Sequence, residues 1–319
     1  MTATPELGWH SCFTPVLGSI PFIITRMEVK VKQRTPEWFE ARKKVTLTAS
    51  KFGEALGLGR GKPYDFFVSL IVDSEHYQEE NEQTRNMSHG IKMEKIIGEA
   101  YELLTGCKTN ETGFWVPQES DLLAGYVGAS PDALVCEGSG LNWTIGLAEF
   151  KAPIYKLYSG DNLIHGIPRA YMAQIQGQMA ICRMQWCDFM AVCVKTKEIM
   201  LKRVHFCREY WQYISMELIA FCQVLKESRL RKQCGKDILG FDIAEDLRLK
   251  PFSRKLFPGE ASIKVVNQLQ TGPNNKFLGP GRVWLPFDML MGVKYELPPS
   301  LKLYGDRIID RIDKTNKKK

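Results

Sequence analysis

The sequence predicts an α/β protein in which one mixed sheet is flanked by helices. Segments with apolar residues at helical spacing alternate with shorter strand-like runs, in the order α-α-α-β-β-α-β-β-α. Elements that alternate in this way pack as helices on a sheet. The chain has 319 residues, 44% of them hydrophobic, which is enough to bury a sizeable core.

The first predicted elements are two helices joined by a turn over residues 35–60. Thr35 followed by Pro36 is typical of a helix N-cap and first turn. Thr48 or Ser50 can cap the second helix in the same way.

The remaining elements follow from periodicity and from glycine and proline positions. They are a helix at 89–106 ended by Gly106, strand-like runs at 114–117 with the segment to 130 and at 143–153, a helix at 169–183, a hairpin at 186–206 and a long amphipathic helix at 208–226.

Composition divides the chain into three parts. Residues 1–26 hold an apolar stretch that two prolines interrupt and that no basic residue precedes, so we expect a loosely ordered extension and no signal peptide. We expect the main domain at 27–234. Residues 235–319 are turn-rich and indicate an irregular or small appended segment. Its basic tail, residues 300–319, carries seven Lys/Arg and three Asp.

Charge and cysteine usage narrow the functional class. The net charge of +7 and pI near 8.8 are compatible with a polyanionic partner. The nine cysteines show no Cys-x-x-Cys spacing, which favours a reduced intracellular protein over a disulfide scaffold or a cluster-binding enzyme. The apolar stretch near the start is too short to span a bilayer, so we expect no membrane partner.

The strongest chemical signal is Asp132 followed by Glu149 and Lys151 in an apolar run. Alternate residues of a strand share a face, so Glu149 and Lys151 point together and Phe150 points away. An Asp132 at the start of an adjoining strand can then meet Glu149. Two carboxylates at one point repel unless a cation lies between them, and Mg²⁺ suits such a site. An exposed hairpin with an ordinary Glu–Lys pair remains the alternative.

Ordered motifs occur between residues 32 and 226. They are Trp38-Phe39-Glu40-Ala41-Arg42, Thr48-Ala49-Ser50, His89-Gly90-Ile91-Lys92-Met93-Glu94, Ser130-Pro131-Asp132, Glu149-Phe150-Lys151-Ala152-Pro153 and Tyr171-Met172-Ala173-Gln174-Ile175-Gln176. Together these motifs resemble the phage lambda exonuclease family, one of the YqaJ-type viral recombinase nucleases of the restriction-endonuclease-like superfamily.

The resemblance implies a metal-dependent nuclease core. Asp132, Glu149 and the main-chain carbonyl of Phe150 would bind the metal, and Lys151 would activate the attacking water. Glu94 would approach the metal from its helix, although a solvated helix charge is the alternative. The metal would be Mg²⁺, with Mn²⁺ able to take its place.

The resemblance also implies how the substrate is held. Gln174 would support the site from the following helix, or could instead cap a backbone group. Arg42, Ser50 and Ser130 would bind a terminal 5′-phosphate, for which guanidinium and hydroxyl donors are suited. The alternatives are a surface ion pair for Arg42 and a plain N-cap for Ser50.

The predicted function is therefore Mg²⁺-dependent 5′-to-3′ digestion of double-stranded DNA ends in recombination or repair. The resemblance further implies a ring-shaped homotrimer and a single-strand annealing partner. A restriction-like or structure-selective endonuclease and a non-catalytic DNA-binding module remain alternatives, because a shared metal core says nothing about end preference.

Overall fold

Helices and strands alternate along the part of the chain that the computed structural model describes, residues 27–59, 61–71, 82–139, 142–238, 256–269, 276–278 and 284–291. The helices are α1 (Pro36–Lys43), α2 (Phe52–Ala55), α3 (Pro63–Ile71), α4 (Glu82–Thr105), α5 (Arg169–Cys182), α6 (Arg208–Gln233) and α7 (Phe287–Leu290). The strands are β1 (Glu28–Val29), β2 (Leu47–Thr48), β3 (Lys108–Asn110), β4 (Phe114–Trp115), β5 (Val127–Gly128), β6 (Ala133–Ser139), β7 (Asn142–Lys151), β8 (Leu163–Ile164), β9 (Ile167–Pro168), β10 (Trp186–Cys193), β11 (Glu198–His205), β12 (Val265–Asn267), β13 (Lys276–Leu278) and β14 (Trp284–Pro286).

The central sheet has six strands in the order β12-β11-β10-β7-β6-β3. All neighbours are antiparallel except β7 and β10, which run parallel and are connected through α5. A parallel pair needs such a crossover connection, usually a helix. The predicted fold class, a mixed sheet flanked by helices, is confirmed.

The two faces of β7 pack against different helices. Leu147 lies in the apolar cluster that contains the buried residues of α5 and α6. Ala148 and Phe150 lie in a second cluster with the buried residues of α4. By strand alternation Glu149 shares the face of Leu147 and therefore points toward α5.

Helix α5 is buried on every side between Met172 and Met179. Three of the side chains in this stretch are glutamines, at positions 174, 176 and 178. Because a buried amide costs free energy unless it is hydrogen-bonded, each glutamine needs a partner inside the protein. Where these partners lie determines what this helix contributes to the site.

The predicted helices are largely confirmed. Thr35 caps α1, its Oγ1 accepting from the Trp38 N–H at 3.4 Å. Helix α4 begins earlier than predicted and ends before Gly106, whose φ of +73° is the left-handed value that favours glycine at a helix end. The hairpin of β10 and β11 and helix α6 also form as predicted, with α6 extending to Gln233.

The prediction of a second helix after Thr48 or Ser50 is only partly correct. A 3₁₀ turn at Ala49–Lys51 leads into α2, a single helical turn, and no side chain caps either one. The Thr48 hydroxyl instead contacts Arg42 and Ser50, so it is not used as a cap. Helix α3, which follows, was not predicted.

The prediction of a strand-like run at 114–117 with the segment to 130 is wrong for most of its length. Only Phe114–Trp115 and Val127–Gly128 are strands, and neither belongs to the central sheet. Turns occupy much of the intervening segment, where Asp121 Oδ1 accepts from the Leu123 N–H at 2.8 Å. The neighbour of β7 is instead β6, which begins directly after Asp132.

Part of the segment predicted to be appended after residue 234 joins the main sheet. Strand β12 pairs with β11 at the sheet edge. Nearby, buried Glu260 accepts from the Nε of buried Arg169 at 3.0 Å, at the start of α5. The boundary at 234 stays a prediction, and the extension at 1–26 and the basic tail lie outside the described residues. Among the helices described, none is long and apolar enough to cross a membrane.

Candidate active site

The candidate site lies where the β6–β7 hairpin opens, at the start of β6 and the end of β7. The last pair of the ladder is Ala133 with Ala148. In an antiparallel register the next residues along each strand, Asp132 and Glu149, are opposite each other. The sequence-based expectation that these two carboxylates meet therefore agrees with the register.

Glu149 is almost completely buried, with 2% of its surface exposed. Its Oε1 accepts from Lys151 Nζ and from Gln174 Nε2, the latter at 2.6 Å. Its Oε2 accepts from Gln178 Nε2 at 2.8 Å. The exposed-hairpin alternative is therefore wrong, and Gln174 contacts the carboxylate rather than a backbone group.

Lys151 lies beside Glu149 and beneath an aromatic ring. Its Nζ is 4.9 Å from the centre of the Tyr171 ring, which is within the range of a cation–π contact. Burial by itself would lower the pKa of Lys151, but the Glu149 and Asp132 carboxylates raise it above its ordinary value. Lys151 is therefore a protonated donor in this arrangement.

The electrostatics of Asp132 indicate a site that favours a cation. Burial raises the pKa of Asp132 well above its ordinary value, and the charges of Glu149 and Glu94 raise it further. Lys151 and the Phe150 N–H oppose this rise. Because like charges at one point are unfavourable, an added positive charge between these carboxylates would stabilise their ionised forms.

The oxygen atoms near Asp132 fit a hard divalent cation. Phe150 donates its N–H to Asp132 Oδ2 at 2.6 Å, and the C=O of a strand residue points to the same side as its N–H. Within the described residues no group of three His, Cys, Asp or Glu side chains is arranged to hold a metal. Two carboxylates and one carbonyl nevertheless suit Mg²⁺, which also takes waters and substrate phosphates.

Glu94 forms an ion pair with Arg34, which the sequence analysis did not identify. Arg34 lies in the loop between β1 and α1, and Glu94 lies on α4. Glu94 is close enough to Asp132 for its charge to affect that carboxyl, but in this arrangement its side chain contacts Arg34.

The predicted phosphate residues form one connected cluster. Arg42 donates to Thr48 Oγ1 at 3.2 Å, and Thr48 Oγ1 is 3.2 Å from Ser50 Oγ. The Arg42 guanidinium lies over Trp38, 4.3 Å from the ring centre, and Trp38 Nε1 donates to Ser130 Oγ at 3.0 Å. Burial lowers the pKa of Arg42. No carboxylate among the described residues pairs with Arg42, so the surface ion-pair alternative is wrong.

Gln178 is a second site residue, after Arg34, that sequence reasoning missed. It lies one helical turn after Gln174, and residues four apart on a helix share a face. This spacing in an otherwise apolar helix was a usable signal. Its Oε1 is buried and has no hydrogen-bond partner within the described part of the chain.

Part of the chain is similar to known proteins. Residues 37–185 match the family model of the YqaJ-like viral recombinase domain. No curated protein matches. The chain is similar to the crystal structure of an alkaline exonuclease (LHK-Exo) from Laribacter hongkongensis, with 27% identity and a TM-score of 0.47, and to LHK-Exo in complex with dAMP, with 26% and 0.48. Both alignments cover 63% of this chain and 98% of the other. The domain match confirms the predicted YqaJ-type resemblance over residues 37–185 and supports the predicted class, a deoxyribonuclease.

Asp132→Asn should leave thermal stability unchanged or raise it, because the variant keeps an oxygen for the Phe150 N–H and removes a disfavoured charge. Mg²⁺ should raise the melting temperature of the wild type by mass action, and this rise should shrink in the variant. Differential scanning fluorimetry with and without Mg²⁺ measures both effects. Asp288→Asn, an exposed control, should keep the full shift, and an undiminished shift in Asp132→Asn would place the cation elsewhere.

Gln178→Leu should weaken cation binding about 10- to 100-fold, since residues that orient a ligand commonly have effects of this size. Gln176→Leu is a matched control on the same helix. Gln176 contacts the His205 carbonyl at 2.9 Å and the Cys207 N–H at 2.8 Å. Its loss should therefore lower the stability of the protein and leave the affinity for the cation unchanged. Calorimetric Mg²⁺ titration and thermal melts of both variants test this. An equal loss of Mg²⁺ affinity in the two variants would contradict a special role for Gln178.

Proposed function

Because residues 37–185 match the family model of the YqaJ-like viral recombinase domain, we propose that the protein is a Mg²⁺-dependent exonuclease that digests double-stranded DNA ends from 5′ to 3′. We place it in recombination or repair, inside the cell. The observation that carries the proposal is the ion pair between buried Glu149 and half-buried Lys151, which faces Asp132 at the open end of the β6–β7 hairpin.

The site residues can supply the chemistry of phosphodiester hydrolysis. A divalent cation held by Asp132, Glu149 and the Phe150 carbonyl would polarise the phosphate and lower the pKa of the attacking water. Lys151, held protonated by its carboxylate neighbours, would orient that water and offset the negative charge that develops on the phosphate. Gln174 and Gln178 keep the Glu149 carboxylate in one orientation.

The cluster around Arg42 supports a preference for phosphorylated 5′ ends. Its guanidinium is half-buried and stacked on Trp38, yet no carboxylate of the described residues balances it. A partly buried cation is stabilised by an anion, and a phosphate monoester fits a guanidinium surrounded by hydroxyl groups. Thr48, Ser50 and Ser130 supply those hydroxyls.

The proposal includes two partners that rest on the family resemblance. One is a second and third copy of this chain, forming a ring around the DNA. The other is a single-strand annealing protein that would take up the exposed strand. Duplex DNA ends are the substrate in both cases.

Lys151→Ala should abolish cleavage and leave DNA binding within about a few-fold, because the lysine is one positive charge among many for binding but faces the reacting phosphate alone. Gel assays with linear and closed circular DNA, with Mg²⁺ and then EDTA, measure turnover. Lys197→Ala removes an exposed lysine and should cleave normally. Near-normal turnover by Lys151→Ala would reject the assigned core, whereas cutting of circles by the wild type would favour an endonuclease. A wild type that binds DNA but cuts neither form would favour a non-catalytic module.

Arg42→Ala should slow digestion of 5′-phosphorylated ends much more than of 5′-hydroxyl ends. Removing a guanidinium that pairs with a terminal phosphate should cost on the order of 2–4 kcal/mol, while a hydroxyl end never used that contact. Initial rates on two duplexes that differ in the 5′-phosphate alone provide the measurement. Arg34 and Lys151 are intact in this variant, so equal slowing of both ends would exclude the assigned pocket.

A further inference from the structure

Arg34 has an unusual backbone conformation next to the candidate site. Its φ is +67°, in the left-handed region that a residue with a side chain adopts at an energetic cost. Such conformations persist where the surroundings enforce them, and they are often found at functional sites. Arg34 is therefore held in this conformation by its neighbours.

Both neighbours of Arg34 are anchored. Gln33 Nε2 donates to the Pro131 carbonyl at 2.8 Å, directly before Asp132, and to the Thr112 carbonyl at 3.1 Å. On the other side, Thr35 Oγ1 donates to the Lys32 carbonyl at 2.9 Å and caps α1. The loop is thus tied to the segment that carries Asp132, and it presents Arg34 toward α4.

The partner of Arg34 is Glu94, the helix carboxylate predicted to approach the metal. Arg34 is 41% exposed and Glu94 is 24% exposed, so solvent and substrate can reach the pair. The Arg34 guanidinium contacts Oε2 of Glu94, an oxygen atom that a cation would need. The same guanidinium, once released, would be a donor for a DNA phosphate beside the site.

We propose that Arg34 exchanges partners during the reaction cycle. This proposal rests on the proposed nuclease function. Without a divalent cation Arg34 neutralises Glu94. With a divalent cation bound at Asp132, Glu94 would turn toward that site, and Arg34 would be released and bind a phosphate of the DNA backbone. Arg34 is thus a positioning residue that links cation binding to DNA binding, and it competes with the cation for Glu94.

The cation arm of the test uses Arg34→Gly, which suits the left-handed backbone and should therefore fold at least as stably as the wild type. Mn²⁺ alone is titrated and the unbound ion is followed by electron paramagnetic resonance. Removing the competing charge should tighten Mn²⁺ binding about three- to tenfold. Arg183→Gly is the matched control, because Arg183 also has a positive φ, of 57°, but contacts Gln118. It should bind Mn²⁺ as the wild type does.

Arg34→Asn is a second variant, because asparagine tolerates the left-handed region and removes the charge. It should behave like Arg34→Gly. If both variants bind Mn²⁺ as the wild type does, the exchange is overturned and the proposed nuclease is untouched. If the wild type binds no Mn²⁺, the metal-dependent function and the exchange are both overturned.

The DNA arm measures affinity for a 5′-phosphorylated duplex in a Lys151→Ala background, with and without Mn²⁺. With Mn²⁺, Arg34→Gly should weaken binding about threefold or more, because one phosphate contact is lost. Without Mn²⁺ the weakening should be smaller, because Arg34 is then held by Glu94 and makes no phosphate contact. Equal weakening in both conditions would mean that Arg34 contacts DNA at all times, which would overturn the exchange.

Discussion

A carboxylate buried in an apolar sheet is the constraint on which the arrangement of β7 and α5 depends. Glu149 is 2% exposed, and an unpaired charge there would be strongly unfavourable. Its donors come from its own strand, through Lys151, and from α5, through Gln174 and Gln178. Both glutamines can reach the Glu149 carboxylate only if α5 has one particular rotation about its axis and one position along β7. The parallel pairing of β7 and β10 already requires a crossover at this place, so topology and electrostatics specify the same helix.

Opposite charges are divided between two adjacent regions. Asp132 and Glu149 lie at the hairpin end, while Arg42 lies among hydroxyl groups and a tryptophan ring. The short segment from Ser130 to Asp132 contributes to both, and two residues of chain span at most about 7 Å. In terms of the proposed function, the distance between the terminal phosphate and the point of hydrolysis is set by covalent geometry rather than by mobile side chains.

Strand alternation and motif order were enough to predict the shared face of Glu149 and Lys151 and the approach of Asp132, because these are local properties of the chain. Helix ends were also predictable where Thr35 and Gly106 give a local signal. Gln178 and Arg34 were missed, since their significance depends on side chains 29 and 60 residues away in sequence. The strand predicted around 114–117 was too long, and it does not lie in the central sheet. β-forming residues such as Phe114 and Trp115 indicate burial, but they do not show which strand lies next to β7.

The ion pair between Arg169 and Glu260 joins residues that are 91 positions apart, and both are buried. Arg169 is the first residue of α5, the helix that carries Gln174 and Gln178. During synthesis the nascent chain contains all of the candidate catalytic side chains well before Glu260 emerges from the ribosome. The contact that fixes the start of α5 can therefore form only after residue 260 has been synthesised, although the candidate catalytic side chains all precede that residue in the chain.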